Sequence, residues 1–217
     1  MTQKGAGPLE HLMTCPLARR AVLVAAGGLV LAACQETPRP GTGAYAPARD
    51  FSGEPFPVRL VNRDRFDPVF RPTVVPDASG EPPGTIVVDT RARHLYLVRD
   101  DRQALRFGIA VGEAGRAWRG TATVGRKAAW PAWYPTDEMR RSVPGFPARI
   151  PPGEANPLGA RALYLHQGGR DTLYRIHGTS EPWTIGTEAS SGCIRMFNED
   201  VIALYGQVRV GARVIVR

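Results

Sequence analysis

The chain has 217 residues, with 28 lysines and arginines against 20 acids and a formal charge of +8. Such a surface suits an anionic partner, but the basic residues are scattered rather than gathered in a run. Together with an export signal at the N-terminus, this argues against nucleic acid as a partner.

Residues 1–33 read as a signal peptide. An arginine pair, Arg19 and Arg20, precedes thirteen small and apolar residues, Ala21 to Ala33, and then Cys34. Thirteen falls short of the ~20 residues a membrane-spanning helix needs, so a cleaved signal is the better reading. Its last turn, "LAAC", resembles a lipobox, which implies lipidation at Cys34 and a membrane anchor through that lipid. Cleavage removes Lys4, Arg19, Arg20 and Glu10 and leaves the mature chain near +6. Gln35 and Glu36 follow Cys34, without the aspartate that retains some lipoproteins at the inner membrane, so a periplasmic domain anchored at the outer membrane is expected.

Of the three cysteines, Cys15 leaves with the signal and Cys34 carries lipid, so Cys193 stands without a disulfide partner. A lone thiol in an oxidising compartment is either an inert buried hydrophobe or a reactive group.

Residues 34–83 read as a linker, because ten prolines fall in 35–83 and few apolar runs interrupt them. Its second half, with Phe66, Phe70, Val74 and Val75, has enough apolar side chains to pack along the domain C-terminal to it. From residue 84 to 217 short β-branched runs alternate with turns: "TIVVDT", "HLYLVR", "LRFGIAV", "TATVGRK", "ALYLH", "LYRIH" and "ARVIVR". These predict strands in one mostly β domain of about 134 residues, enough for a single core.

Between residues 128 and 160, seven prolines interleave with Trp130, Trp133 and Tyr134 in a stretch with no period. A loop of that length in a compact domain covers or lines a site. Packing accounts for most of its aromatics. The single predicted helix starts at Asn198, read as its N-cap, with Glu199 and Asp200 in the first turn and Val201, Leu204, Tyr205 and Val208 as the apolar stripe.

Chemistry concentrates at "RIHGTSEPW" and "EASSGCIRMFNED". His177 ends a predicted strand and can take the proton of a thiol, so it is the natural partner for Cys193. Gly178 permits a close approach beside the imidazole, and Gly192 lets backbone N–H groups converge on one point before the cysteine. His94 and His166 lie inside strand-like runs and read as structural. No cluster of ligands at metal spacing and no phosphate loop is present, so neither metal nor cofactor is expected.

These residues resemble the L,D-transpeptidase catalytic domain, also called the YkuD domain. That family carries a histidine, a spacer, and then Ser/Thr-His-Gly-Cys, a hydrophobic residue and Asn or Arg. Here the motif reads His177-Gly178-Thr179 and Ser190-Ser191-Gly192-Cys193-Ile194-Arg195, and the likeness runs from about residue 84 to 217. Ser191 stands where most members have a second histidine.

The resemblance implies a β-sandwich with the cysteine at the end of a groove under a cap, preceded here by the signal peptide and the proline-rich tether. It implies acyl transfer on peptidoglycan stem peptides, with Cys193 as nucleophile, His177 as base and the Gly178 carbonyl orienting the imidazole. Backbone N–H groups at Ser191, Gly192 and Cys193 are the implied oxyanion donors, and Arg195, Trp183 and Ser190 the implied substrate-binding residues. Acceptors are the amine of a second stem or of an outer-membrane protein. The alternatives are a carboxypeptidase and a wall-binding lipoprotein without turnover.

Overall fold

The computed structural model describes residues 43–48, 50–112, 119–188 and 192–217. Every predicted run forms a strand: β3 (Ile86–Asp89), β4 (His94–Val98), β5 (Gln103–Gly108), β6 (Gly120–Ala129), β7 (Arg161–Gln167), β8 (Arg170–His177) and β10 (Arg213–Val216). Three short strands escaped the sequence pattern: β1 (Gly43–Ala44), β2 (Thr73–Pro76) and β9 (Ile194–Arg195). A two-residue strand has no period to read, and β2 lies in the stretch read as linker.

The ten strands form one sheet in the order β1-β2-β5-β4-β3-β10-β6-β7-β8-β9. Most neighbours are antiparallel, but β10 runs parallel to β3 and β9 parallel to β8. Just beyond β5, the Ala110 N–H and carbonyl exchange 2.9 Å hydrogen bonds with Arg195 of β9, bringing the last strand of the sheet back against the segment after its third. The fold is therefore mostly β, and its sandwich is one sheet folded over. One core holds it together: Leu95, Phe107, Val124, Leu165, Ile176, Ile194 and Val214, each 0–1% exposed, come from seven different strands or their margins. Each such side chain contributes ~1.5–3 kcal/mol of burial.

Among the described residues, two α-helices accompany the sheet. Helix α1 (Asp137–Ser142) lies inside the long loop between β6 and β7, capped by Thr136, whose hydroxyl accepts from Met139 N at 3.2 Å. It was not expected, because two turns flanked by prolines give no stripe to detect.

Helix α2 (Asn198–Gln207) is the predicted one and packs on β7 and β8 through Val201 and Leu204, both fully buried. Its C-terminal carbonyls of Tyr205 and Val208 accept from Lys127 Nζ at 2.6 and 2.5 Å, which suits a cation at the negative end of a helix. Phe197 is the N-cap residue, without a side-chain cap bond. Asn198 sits one position inside the helix and its side chain turns elsewhere.

Among the described residues the proline-rich stretch lies on the domain from Gly43 onward, through β1 on β2 and Tyr45 against Phe107, so a free tether does not describe it there. Strand β2 pairs with β5, Phe66 meets Phe197 edge to face at 4.9 Å, and Phe70 joins a small apolar cluster with Ile185. Arg63 donates to both carboxylate oxygens of Asp200 at 3.0 and 2.8 Å, and Glu199 accepts from Val61 N at 3.0 Å. Glu54 binds Arg161 and accepts from the Trp130 indole N–H at 2.7 Å, pinning the root of the long loop. Aromatic side chains and a paired arginine outweigh the entropy that proline-rich composition suggests.

Candidate active site

Strand β9 is only two residues long, yet its pairing arranges the site. Ile176 pairs with Ile194 and His177 with Arg195, in parallel register. Ile176 and Ile194 are buried in the core at 0% and 1% exposure, so the alternate residues point to the other face of the sheet. Arg175, His177, Cys193 and Arg195 consequently share one cleft of about 540 Å³. Its floor continues onto Ala128 and Arg126 of β6 and Tyr164 of β7; its roof is Pro131 to Tyr134, Met139 and Leu158 from the long loop. Trp133 and Tyr134 thus line the cleft, whereas Trp130 is 5% exposed and packs against Phe56 instead.

His177 is 3% exposed, and its Nδ1 lies 2.5 Å from the Gly178 carbonyl oxygen. A carbonyl only accepts, so Nδ1 carries the proton and Nε2 keeps its lone pair. Burial pulls the imidazole pKa down to about 4; the bond to Gly178 works against this, and the charges of Arg195 and Arg175 add to it. The ring is therefore neutral at physiological pH and able to accept a proton.

The Cys193 thiol is half-buried and reaches the Leu173 carbonyl at 3.8 Å. Burial raises its pKa, opposed by a hydrogen bond from the Arg175 backbone and by the Arg175 and Arg195 charges, while Asp171 adds to the rise. The resting pair is thus thiol and neutral imidazole rather than the thiolate and imidazolium ion pair suggested by residue type alone. Leu173 has φ +64°, beside an irregularity in the β7–β8 register between Tyr164 and His166. That costs of order 1–2 kcal/mol for a branched side chain, and it turns the carbonyl that the thiol meets.

Asn198 braces the turn after His177. Its Oδ1 accepts from Ala160 N at 3.0 Å and Thr179 N at 3.2 Å, and its Nδ2 donates to the Thr179 carbonyl at 3.0 Å. Two glycines make room for this amide: a Cβ on Gly178 or Gly159 would stand 2.1 or 2.2 Å from Oδ1. The close approach expected at Gly178 is therefore made by Asn198. Replacing Asn198 with alanine is expected to cost about 2–4 kcal/mol, since buried backbone groups lose their partners. Asn198→Asp keeps the acceptor but sets a carboxylate oxygen against the Thr179 carbonyl where Nδ2 donated, so it should recover only part of the loss. Urea unfolding of the two variants checks the order.

Arg195 lines the cleft but is 8% exposed and donates to Glu181 at 2.8 Å, so a loop ion pair, rather than an open guanidinium, occupies it. Trp183 is 66% exposed and faces a separate groove with Leu60, Phe66 and Thr179, not the cleft of Cys193. Gly192 has φ +89°, a left-handed turn directly before Cys193 that a residue with a Cβ adopts only at a cost. Ser190, Ser191 and Cys34 lie outside the described residues. His94 is structural: its Nε2 meets the Val69 carbonyl at 3.0 Å, which ties the residue 68–70 turn to β4. No group of three or more histidines, cysteines or acids among the described residues is placed to hold a metal. Sequence reasoning missed Asn198, Arg175, Tyr164 and Arg126. Arg175 was accessible by stepping two residues back along the strand from His177.

Known proteins resemble this chain over the same region. The L,D-transpeptidase catalytic domain model (YkuD) matches residues 83–216. Two Escherichia coli K12 proteins are similar. The "Probable L,D-transpeptidase ErfK/SrfK" is 40% identical over 59% of this chain and 42% of its own length. The "Probable L,D-transpeptidase YbiS" is 36% identical over 65% of this chain and 46% of its own. The chain thus spans under half the length of these relatives. A Brucella melitensis crystal structure, described as "a Probable carnitine operon oxidoreductase caia", is 49% identical, covering 72% of this chain and 99% of that one at a TM-score of 0.49. With the family's domain model matching residues 83–216, more than half of the chain, the chain belongs to the L,D-transpeptidase catalytic-domain family.

Proposed function

We propose that the chain is a peptidoglycan L,D-transpeptidase that works through a Cys193 thioester. The observation that carries this reading is the β8–β9 register, which aims His177 and Cys193 into one roofed cleft while the imidazole stays neutral. Cys193 Sγ attacks the carbonyl of the third residue of a stem tetrapeptide as its proton passes to His177 Nε2. The oxyanion is met by backbone N–H groups of the turn ending in Gly192 and Cys193. Collapse of the tetrahedral intermediate breaks the peptide bond, and His177 returns the proton to the departing amine of D-alanine. An acceptor amine then attacks the thioester; His177 takes its proton and returns it to the thiolate, leaving an amide.

The acceptor is the third-residue amine of another stem, giving a 3→3 cross-link, or an amine of an outer-membrane protein. Water in that role makes the enzyme a carboxypeptidase. The charge and the signal-like residues 1–34 support a periplasmic enzyme held by lipid on Cys34, at the outer membrane by the residues that come after it.

The test is incubation of the folded chain with disaccharide tetrapeptide, following free D-alanine and the intact protein mass together. The proposal requires both D-alanine release and a transient acyl adduct, each lost in Cys193→Ala. Binding of the peptide with no release and no adduct would instead make this a wall-binding protein.

A further inference from the structure

We propose that Arg126 is the carboxylate-recognition residue of the Cys193 cleft, so that the site selects stem peptides whose acidic group remains free over those in which it is amidated. The inference rests on the transpeptidase reading and specifies its substrate.

Arg126 reaches the cleft through a β-bulge. Val124 pairs with Leu165 and is fully buried in the core. Two residues along a regular strand, Arg126 would face the same way as Val124, into that core. The register shifts between them, so Arg126 pairs with Tyr164, which points away from the core side that Leu165 occupies. The extra residue is Gly125, and a Cβ there would stand 2.2 Å from the His166 ring. A bulge that needs glycine and redirects a single arginine into a cleft is a way of aiming a side chain.

The three arginines of the cleft differ in what they already hold. Arg175 is bound to both oxygens of Asp171, at 2.7 and 2.9 Å, and Arg195 to Glu181. Arg126 has no carboxylate partner among the described residues. Its guanidinium lies 3.5 Å from the Tyr164 ring centroid, with Arg175 at 4.3 Å from the same ring. Tyr164 is 7% exposed and cannot swing away. Stacking fixes the plane of the guanidinium and leaves its N–H edge to grip a carboxylate in a bidentate pair, which a lysine could not imitate.

Position along the cleft indicates which group is read. Arg126, Tyr164 and Arg175 form one cross-strand row, and the parallel register carries that row on to Cys193. Three strand spacings separate the first and last backbones, about 14 Å. With the guanidinium over the Tyr164 ring, two of those spacings remain to the Cys193 strand, about 10 Å, or some three residues of extended peptide. The carboxylate of the leaving D-alanine is adjacent to the scissile bond and too near. The acidic groups at the right reach are the free carboxylate of the second residue and the one ending the third residue's side chain.

Cys193→Ala protein, which retains the cleft, is titrated with tetrapeptide bearing both carboxylates free, and with peptides amidated at the second residue or at the third-residue side chain. One of the two amidations should weaken binding about ten- to hundredfold, and the position that does so identifies the group read. That difference should vanish in Cys193→Ala/Arg126→Gln. In the otherwise wild-type chain, Arg126→Gln should raise KM for the free peptide with kcat within about twofold, and Arg126→Lys should recover only part of the loss. Binding indifferent to both amidations, or Arg126→Gln weakening all peptides alike, overturns the assignment. Selective binding without D-alanine release keeps it and sinks the transpeptidase reading. Release that ignores amidation does the reverse.

Discussion

Alanine in place of His177 is expected to slow acylation of Cys193 by about two to four orders of magnitude, the range that a positioned proton acceptor contributes. The thiol is neutral at rest because burial raises its pKa, so attack requires a base in the cleft at the moment of reaction. His177 Nε2 is the nitrogen with a free lone pair, since Nδ1 is bound to the Gly178 carbonyl. The pH profile discriminates further. With the imidazole pKa near 4, the acid limb of the acylation rate should fall around that value rather than near the ordinary 6.5 of histidine. In His177→Ala the plateau should disappear, and the rate should climb with thiolate fraction well above the pH where an ordinary thiol of pKa ~8.5 levels off. Intact-mass kinetics with a carbapenem between pH 4 and 10 would measure both. An acid limb near 6.5, or an unchanged rate in the variant, removes His177 from the proposed role.

Arg63→Met is expected to destabilise the chain by about 3–5 kcal/mol, the cost of stranding a buried charge by removing its partner. Asp200 is 0% exposed and takes two hydrogen bonds from Arg63, whose guanidinium also lies 3.4 Å from Glu199 and 3.9 Å from the Phe197 ring centroid. Burial lifts the Asp200 pKa from 3.8 to about 6, with Arg63 pulling the other way and Glu199 adding to the rise. A folded pKa above the unfolded one means that the carboxyl's contribution is complete at pH below about 4 and is lost as pH rises through 6. Without Arg63 the pKa rises further, so the penalty should be small at pH 5, where Asp200 is protonated, and full at pH 8. Urea unfolding at the two pH values measures it, and adding Asp200→Asn should recover much of the loss at pH 8. A penalty under about 1 kcal/mol at pH 8 would mean that residues 61–66 do not hold the helix bearing Asp200, despite the ion pair and the Phe66–Phe197 contact.

The His177 experiment concerns residues that were legible in the sequence; the Arg63 experiment concerns one that was not. The difference lies in how far each feature depends on pairing between distant segments. Strands β3 to β8 and β10 announce themselves by β-branched or alternating runs of four to ten residues, and α2 by its stripe, because a local pattern decides which face is buried. Arg63 and Asp200 are 137 residues apart, and nothing near either predicts the other. Asn198 illustrates the ambiguity: an asparagine before an apolar stripe reads as a cap, and only the folded chain brings Ala160 and Thr179 within reach of its amide.

What the sequence by itself determined is the chemistry available: one unpaired thiol, an imidazole at a strand end, glycines beside each, a proline-rich stretch over the site, and the resemblance that joined them. Only the tertiary structure decided how these groups are poised. The parallel pairing of β8 with a two-residue β9 put the thiol and imidazole in one cleft, burial made both neutral at rest, Glu181 claimed Arg195, and a bulge at Gly125 delivered Arg126 to the cleft. Residue type sets what a side chain can do. Its pKa, partners and direction are set by what the fold packs around it, and those neighbours come from segments far away in the chain.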